Sequence, residues 1–240
     1  MSRNQKINDL FSKNQSLFDR AYVVDGIIDE EAYLASPIRT AFLLKETNGG
    51  TEKENCDAMG NWDKFTRNLH SMALPKSHPE SAPLYKTWPN VCLWMYLIHH
   101  PEATFSCCTE NDEFKEEQLR HYLDTAAIIN LKKVPGGSSS VYDELTAAAK
   151  KNHDFLLQQI DIMEPELIIC GGTYWIFKET FLNEEIQTGI LSTGTHYFVH
   201  NNRLYLEFPH PMWYSVDRKI LFAYAKEVFD NVRKLLADMQ

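Results

Sequence analysis

The sequence predicts an α/β protein: a three-layer α/β/α sandwich around a short, mostly parallel central sheet of four strands. Three observations lead there. Apolar runs at residues 39–44, 126–131, 167–170 and 203–208 have the length and near-continuous hydrophobicity of strands buried on both faces. Stretches of helical periodicity separate them, the alternation that a parallel sheet with crossover helices requires. The 240 residues, 44% apolar and 24% charged, can build one such domain spanning the chain and are too few for three.

The elements follow in order. Leu10, Phe11, Leu17 and Phe18 at helical spacing place one or two short helices in a polar N-terminal extension, residues 1–36. Ser36-Pro37 breaks that pattern, because proline biases its predecessor away from helix. The strand at 39–44 stops in the polar turn Lys45-Glu-Thr-Asn-Gly-Gly50. Residues 51–110 read as an irregular insertion. Within it, 75–89 is proline-rich loop and 90–99 is an apolar run that periodicity leaves open between helix and strand. Residues 114–124 look helical. The second strand leads into Lys132-Lys-Val-Pro-Gly-Gly-Ser-Ser-Ser140, and one amphipathic helix over 143–163 carries the stripe Leu145, Ala149, Leu156, Ile160, Met163. The third strand closes on Gly171-Gly172, a short helix covers 174–182, and the fourth strand ends at Pro209-His210-Pro211. A last helix, 217–236, lines up Leu221, Tyr224, Val228, Val232 and Leu235. Ligands of parallel sheets bind beyond the carboxyl ends of the strands, so the loops 45–50, 132–140 and 209–214 are expected to gather at one rim.

Charge limits the partners. Lys plus Arg is 24 against 33 Asp plus Glu, a net charge of -9. A wholesale basic coat for nucleic acid is excluded, and contact with DNA requires a local patch. The five cysteines are odd in number and include no C-x-x-C pair, which fits reduced thiols in a cytosolic compartment better than a disulfide framework. The N-terminus is polar and no apolar run reaches about 18 residues, so neither a signal peptide nor a membrane span is expected. The expectation is a cytoplasmic monomer.

The order of the loops carries a resemblance. KETNGG after the first strand, IINLKKVPGGSSS after the second, FLLQQIDIMEPELIICGG through the third and LEFPHP at the fourth together resemble the uracil-DNA glycosylase superfamily over roughly residues 37–236. The resemblance implies a first-loop group that positions or activates water, an Asn that reads a base, and a late His-Pro loop that supplies the catalytic His and part of the DNA clamp. By position these are Glu46, Asn130 and His210, with Asp57 and Asn48 as rivals for the water. The chain also departs from the pattern. The first loop lacks the family's Pro and leading Gly, and no Tyr occurs in it. The Ser of His-Pro-Ser is Met212, and the cysteines of the iron–sulfur branch are missing, so no cluster, metal or organic cofactor is expected.

The residue types suit that chemistry. Breaking an N-glycosidic bond builds positive charge on the sugar and negative charge on the departing base. A His in a stiff loop between prolines can donate to a base carbonyl. The Asn130 amide offers an acceptor and donors matched to a pyrimidine edge, Glu46 can orient or deprotonate water, and Trp62 or Phe65 can stack on an everted base. Lys132, Lys133, Gly136, Gly137 and Ser138 form a candidate phosphate cradle, and Met212 with Trp213 a wedge into the duplex. Taken alone, each has a plainer reading: turn, cap, solvated acid, core aromatic or surface loop. His99-His100 with Cys107-Cys108 is a rival zinc set, at spacing unusual for one. His153, His196 and His200 read as surface or turn residues. The expected function is a monofunctional glycosylase acting on duplex or single-stranded DNA, releasing uracil or another deaminated base, or a phage hypermodified cytosine. The alternatives are an inactive DNA-binding module of the same fold and a small-molecule nucleoside hydrolase.

Overall fold

The computed structural model describes residues 1–18, 22–47, 87–105, 121–136, 139–182, 186, 188–212 and 218–239. Six strands form one sheet: β1 (Thr40–Leu44), β2 (Ala126–Asn130), β3 (Leu167–Gly171), β4 (Thr188–Ile190), β5 (His196–His200) and β6 (Arg203–Phe208), in the order β2-β1-β3-β6-β5-β4. The first four in that order are parallel and are the four that the apolar runs predict. The sheet of four expected from the sequence is corrected to six, because β5 pairs antiparallel with β6 and β4 antiparallel with β5. These two were missed because they face water. In β5 only Phe198 is buried, and His196 and His200 are strand residues rather than turn residues. The turn joining β5 to β6 is Asn201-Asn202, both in the left-handed region, which is what a two-residue hairpin demands.

Alternate residues of the parallel strands feed two cores on opposite faces. Phe42, Leu44, Ile128, Ile169 and Leu206 pack with helices α3 (Thr87–His99) and α7 (Arg218–Asp238). Ala41, Leu43, Ile129, Ile168 and Tyr205 pack with α1 (Arg3–Lys13), α4 (Tyr142–Lys151), α5 (His153–Met163) and α6 (Tyr174–Phe181). A short α2 (Glu30–Ala35), capped by the Asp29 carboxylate accepting from Ala32 N, precedes β1.

Three expectations change. The apolar run at 90–99 is helix α3. Val91 through Ile98 are all buried, so it shows no amphipathic period, and it belongs to the core although it falls inside the segment read as an irregular insertion. The single helix over 143–163 is two, broken at Asn152, whose Nδ2 donates to the Leu131 carbonyl at 3.2 Å. That carbonyl lies just past the end of β2, and satisfying it favours the break. The apolar stripe crosses the break unchanged because both halves face the same core. The N-terminal extension is also part of the core. Ile7, Leu10 and Phe11 of α1 are buried, and residues 23–28 run antiparallel along the outer edge of β2. There Ile128 N donates to Gly26 O (2.8 Å) and Ile28 N to Ala126 O (3.1 Å), which seals a flank that would otherwise be open for pairing. Among the described residues no helix is long and apolar enough to cross a membrane.

Candidate functional site

The parallel strands deliver their carboxyl ends to one rim. Leu44 is in register with Asn130, Leu43 with Cys170, and Gly171 with Phe208. The loops beyond are laced together. Leu131 N donates to Leu44 O, Lys132 N to Lys45 O, Gly136 N to Thr47 O and Gly172 N to Phe208 O, at 2.9–3.0 Å. The outermost parallel strands, β2 and β6, lie three strand spacings apart, about 14 Å. Asn130 therefore lies at the β2 end of the rim and His210 just past the β6 end, with Lys45 and Glu46, which follow β1, between them.

His210 leaves β6 between two prolines. Its Nδ1 accepts from the Met212 backbone N–H at 3.1 Å, which leaves Nε2–H as donor in the neutral ring. Burial, with a smaller contribution from the Lys45 ammonium, pushes its pKa down to about 4. The loop is pinned from behind, where Asn90 Nδ2 on α3 donates to the Pro211 carbonyl at 2.6 Å. Met212 is exposed beside it.

Asn130 is held by a residue that the sequence reading did not single out. Asp25 Oδ2 accepts from both the Asn130 backbone N (2.7 Å) and its Nδ2 (3.0 Å). Asp25 Oδ1 accepts from Lys133 Nζ (2.6 Å) and Gln159 Nε2 (2.8 Å), and Lys133 donates onward to Gln159 Oε1 (2.7 Å). The Asp25 and Lys133 side chains are wholly buried, and the ammonium also lies over the rings of Phe11 and Phe155. Desolvation lowers the Lys133 pKa, against the pull of Asp25. Lys133 is thus a core residue and not a phosphate contact, which corrects the cradle. One amide hydrogen of Asn130 is committed to Asp25, so the amide has a fixed direction.

The Glu46 side chain is buried rather than solvated and ion-pairs with Lys132 at 2.7 Å; Lys132 also reaches the exposed Glu144 at 3.0 Å. Burial is the largest single influence on Lys132 and pulls its pKa down, but the hydrogen bonds and charges of Glu46 and Glu144 together outweigh it and raise the pKa. With both of its partners anionic, Lys132 offers little charge to phosphate. Gly136 packs directly on the Glu46 carboxyl group, where a Cβ would overlap its atoms, and its N–H is spent on Thr47. The cradle reading of Gly136 is corrected accordingly: the glycine makes room for Glu46. Asn48, Asp57, Trp62, Phe65, Gly137, Ser138 and Trp213 lie outside the described residues.

The rival histidines are otherwise engaged. His99 Nε2 hydrogen-bonds Ser36 Oγ (3.0 Å), and burial drives its pKa down to about 4. His100 pairs with Tyr122 OH (2.7 Å) and Glu102 (3.2 Å). Cys107 and Cys108 lie outside the described residues, and among the described residues no three His, Cys, Asp or Glu side chains cluster as metal ligands. His153 stacks on Phe181, and His196 Nδ1 pairs with Glu207 (2.6 Å). A cleft of about 450 Å³, lined by Arg3, Glu30, Asp161 and Glu164 among others, opens at the amino ends of the strands, away from this rim. A signal for Asp25 was present in the sequence: it is the one charged residue in the apolar stretch Val23-Val24-Asp25-Gly26-Ile27-Ile28, and an acid there must be exposed, paired or functional. No protein-family model matches this chain, and no curated protein matches it significantly.

Proposed function

We propose that the protein is a monofunctional DNA glycosylase, hydrolysing the bond between a flipped base and its sugar to leave an abasic site. The observation that carries the reading is the rim itself. A His210 whose neutral ring keeps Nε2–H as donor, an Asn130 anchored by Asp25 and a Glu46 carboxylate with a buried side chain all lie at the carboxyl ends of the parallel strands. Each matches one need of the reaction. Asn130 reads the base edge, His210 donates to the carbonyl on which charge develops, and Glu46 orients the attacking water. The substrate is uracil or another deaminated base, or a phage hypermodified cytosine. The altered first loop favours a reshaped pocket.

The test incubates the protein with duplexes carrying uracil, hypoxanthine or glucosylated hydroxymethylcytosine, followed by alkali. Strand breaks at the modified position support the reading. Binding without breaks on every duplex replaces it with an inactive DNA-binding module, and release from free nucleosides that is insensitive to salt replaces it with a nucleoside hydrolase.

A further inference from the structure

The charge on this rim is unevenly used. Lys132 is held by Glu46 and Glu144, and Lys133 by Asp25. Lys45, the first residue past β1, makes no side-chain hydrogen bond or ion pair among the described residues, although it is half-buried and central to the rim. Its side chain passes close to Gly172 and His210. Gly172 turns the chain after β3 with φ at +68°, in the left-handed region. A Cβ built there would lie 3.2 Å from Lys45 Cε, 3.7 Å from Lys45 Nζ and 3.5 Å from His210 Cβ. The absent side chain at 172 is the space in which the lysine and the histidine come together.

An ammonium with no acidic partner among the described residues, next to a neutral imidazole donor, has the chemistry of an anion site. We propose that Lys45 is a catalytic residue that meets the negative charge leaving with the base, beside the hydrogen bond from His210. The inference rests on the glycosylase reading. In the step it assists, the C1′–N bond breaks and its electron pair departs on the base. A water oxygen bonds to C1′, one water proton passes to the Glu46 carboxylate, and a proton is finally returned to the base nitrogen. Lys45 acts before that return, when the base is an anion. It also accounts for a histidine kept uncharged in a site that must hold an anion: the cation is supplied by the neighbour, and the ring is left as donor alone.

The experiment measures single-turnover release of the base that the wild type removes fastest and of its 6-aza counterpart, whose extra ring nitrogen makes a more stable departing anion. Lys45→Met is expected to slow release of the natural base by about 100-fold, the usual order for loss of one stabilising donor. The 6-aza base should suffer several-fold less, Lys45→Arg should recover part of the rate, and affinity for abasic duplex should stay unchanged. Equal losses on both bases, or a loss that tracks weaker binding of abasic duplex, would overturn the assignment and make Lys45 a phosphate contact. A wild type that releases no base from any duplex removes the glycosylase reading itself, an outcome distinct from an active wild type with an unimpaired Lys45→Met.

Discussion

Replacing Lys133 by Met tests the buried network behind Asn130. The substitution keeps the apolar stem over Phe11 and Phe155 and removes the ammonium that sits 2.6 Å from Asp25. Losing one partner of a buried ion pair costs about 3–5 kcal/mol. The Asp25 carboxylate retains three donors, from Gln159 Nε2, Asn130 N and Asn130 Nδ2, so the loss belongs at the lower end, about 3 kcal/mol. Asp25→Leu is expected to cost more, about 5 kcal/mol, because it leaves an ammonium with Gln159 as its sole polar partner among the described residues. Either is a large share of a total stability of roughly 5–15 kcal/mol. Urea unfolding followed by circular dichroism reads the loss as a lower midpoint at unchanged slope. The double replacement Asp25→Leu with Lys133→Met exchanges the pair for apolar volume and should regain most of the stability. Base release should stay impaired, since Asn130 has lost its anchor. A loss below about 1 kcal/mol in Lys133→Met would refute the reasoning, for it would mean that the pair is not desolvated as its burial implies.

Four further outcomes are expected. His210→Ala and Asn130→Ala should each reduce base release by about 100-fold or more while leaving the thermal midpoint within a few degrees of wild type, checked by single-turnover kinetics and calorimetry. Acidification should destabilise the fold between about pH 6.5 and 4. His210 and His99 both have folded-state pKa values near 4, so the unfolded chain binds more protons across that window, and stability falls as pH drops and levels off below it. Urea midpoints across that range read the effect directly. Gly136→Ala should displace the Glu46 carboxyl group and slow release more than it weakens DNA binding, measured as rate against affinity on the same duplex. Binding to DNA should weaken only modestly with salt, with a slope corresponding to few phosphates, because Lys132 and Lys133 are already neutralised within the protein.

The parallel half of the fold was legible because its strands are buried on both faces and so are almost purely apolar. The antiparallel pair β4 and β5 was not. Thr188–Ile190 is exposed or half-exposed throughout, and β5 buries only Phe198, so neither carries a hydrophobic run. The site divides along the same line. That Glu46, Asn130 and His210 lie at one rim could be read from the sequence because loop order and proline–glycine punctuation mark the ends of strands. The roles of Lys132 and Lys133 could not. Two adjacent lysines read as one basic patch, yet successive residues here point to different surroundings, one to the rim and one into the core. Nothing in the local sequence announces that Asp25, more than a hundred residues earlier, receives the second of them.

The strip at residues 23–28, laid along β2, also constrains how the chain assembles. Its backbone-to-backbone hydrogen bonds go to residues 126, 128 and 133, and β1 cannot pair with β2 until residues 126–130 arrive. During synthesis the first hundred residues emerge without the surfaces they are meant to cover. Contacts of such long sequence separation make folding slow, on the scale of milliseconds to seconds, and the nascent chain must remain soluble through that wait.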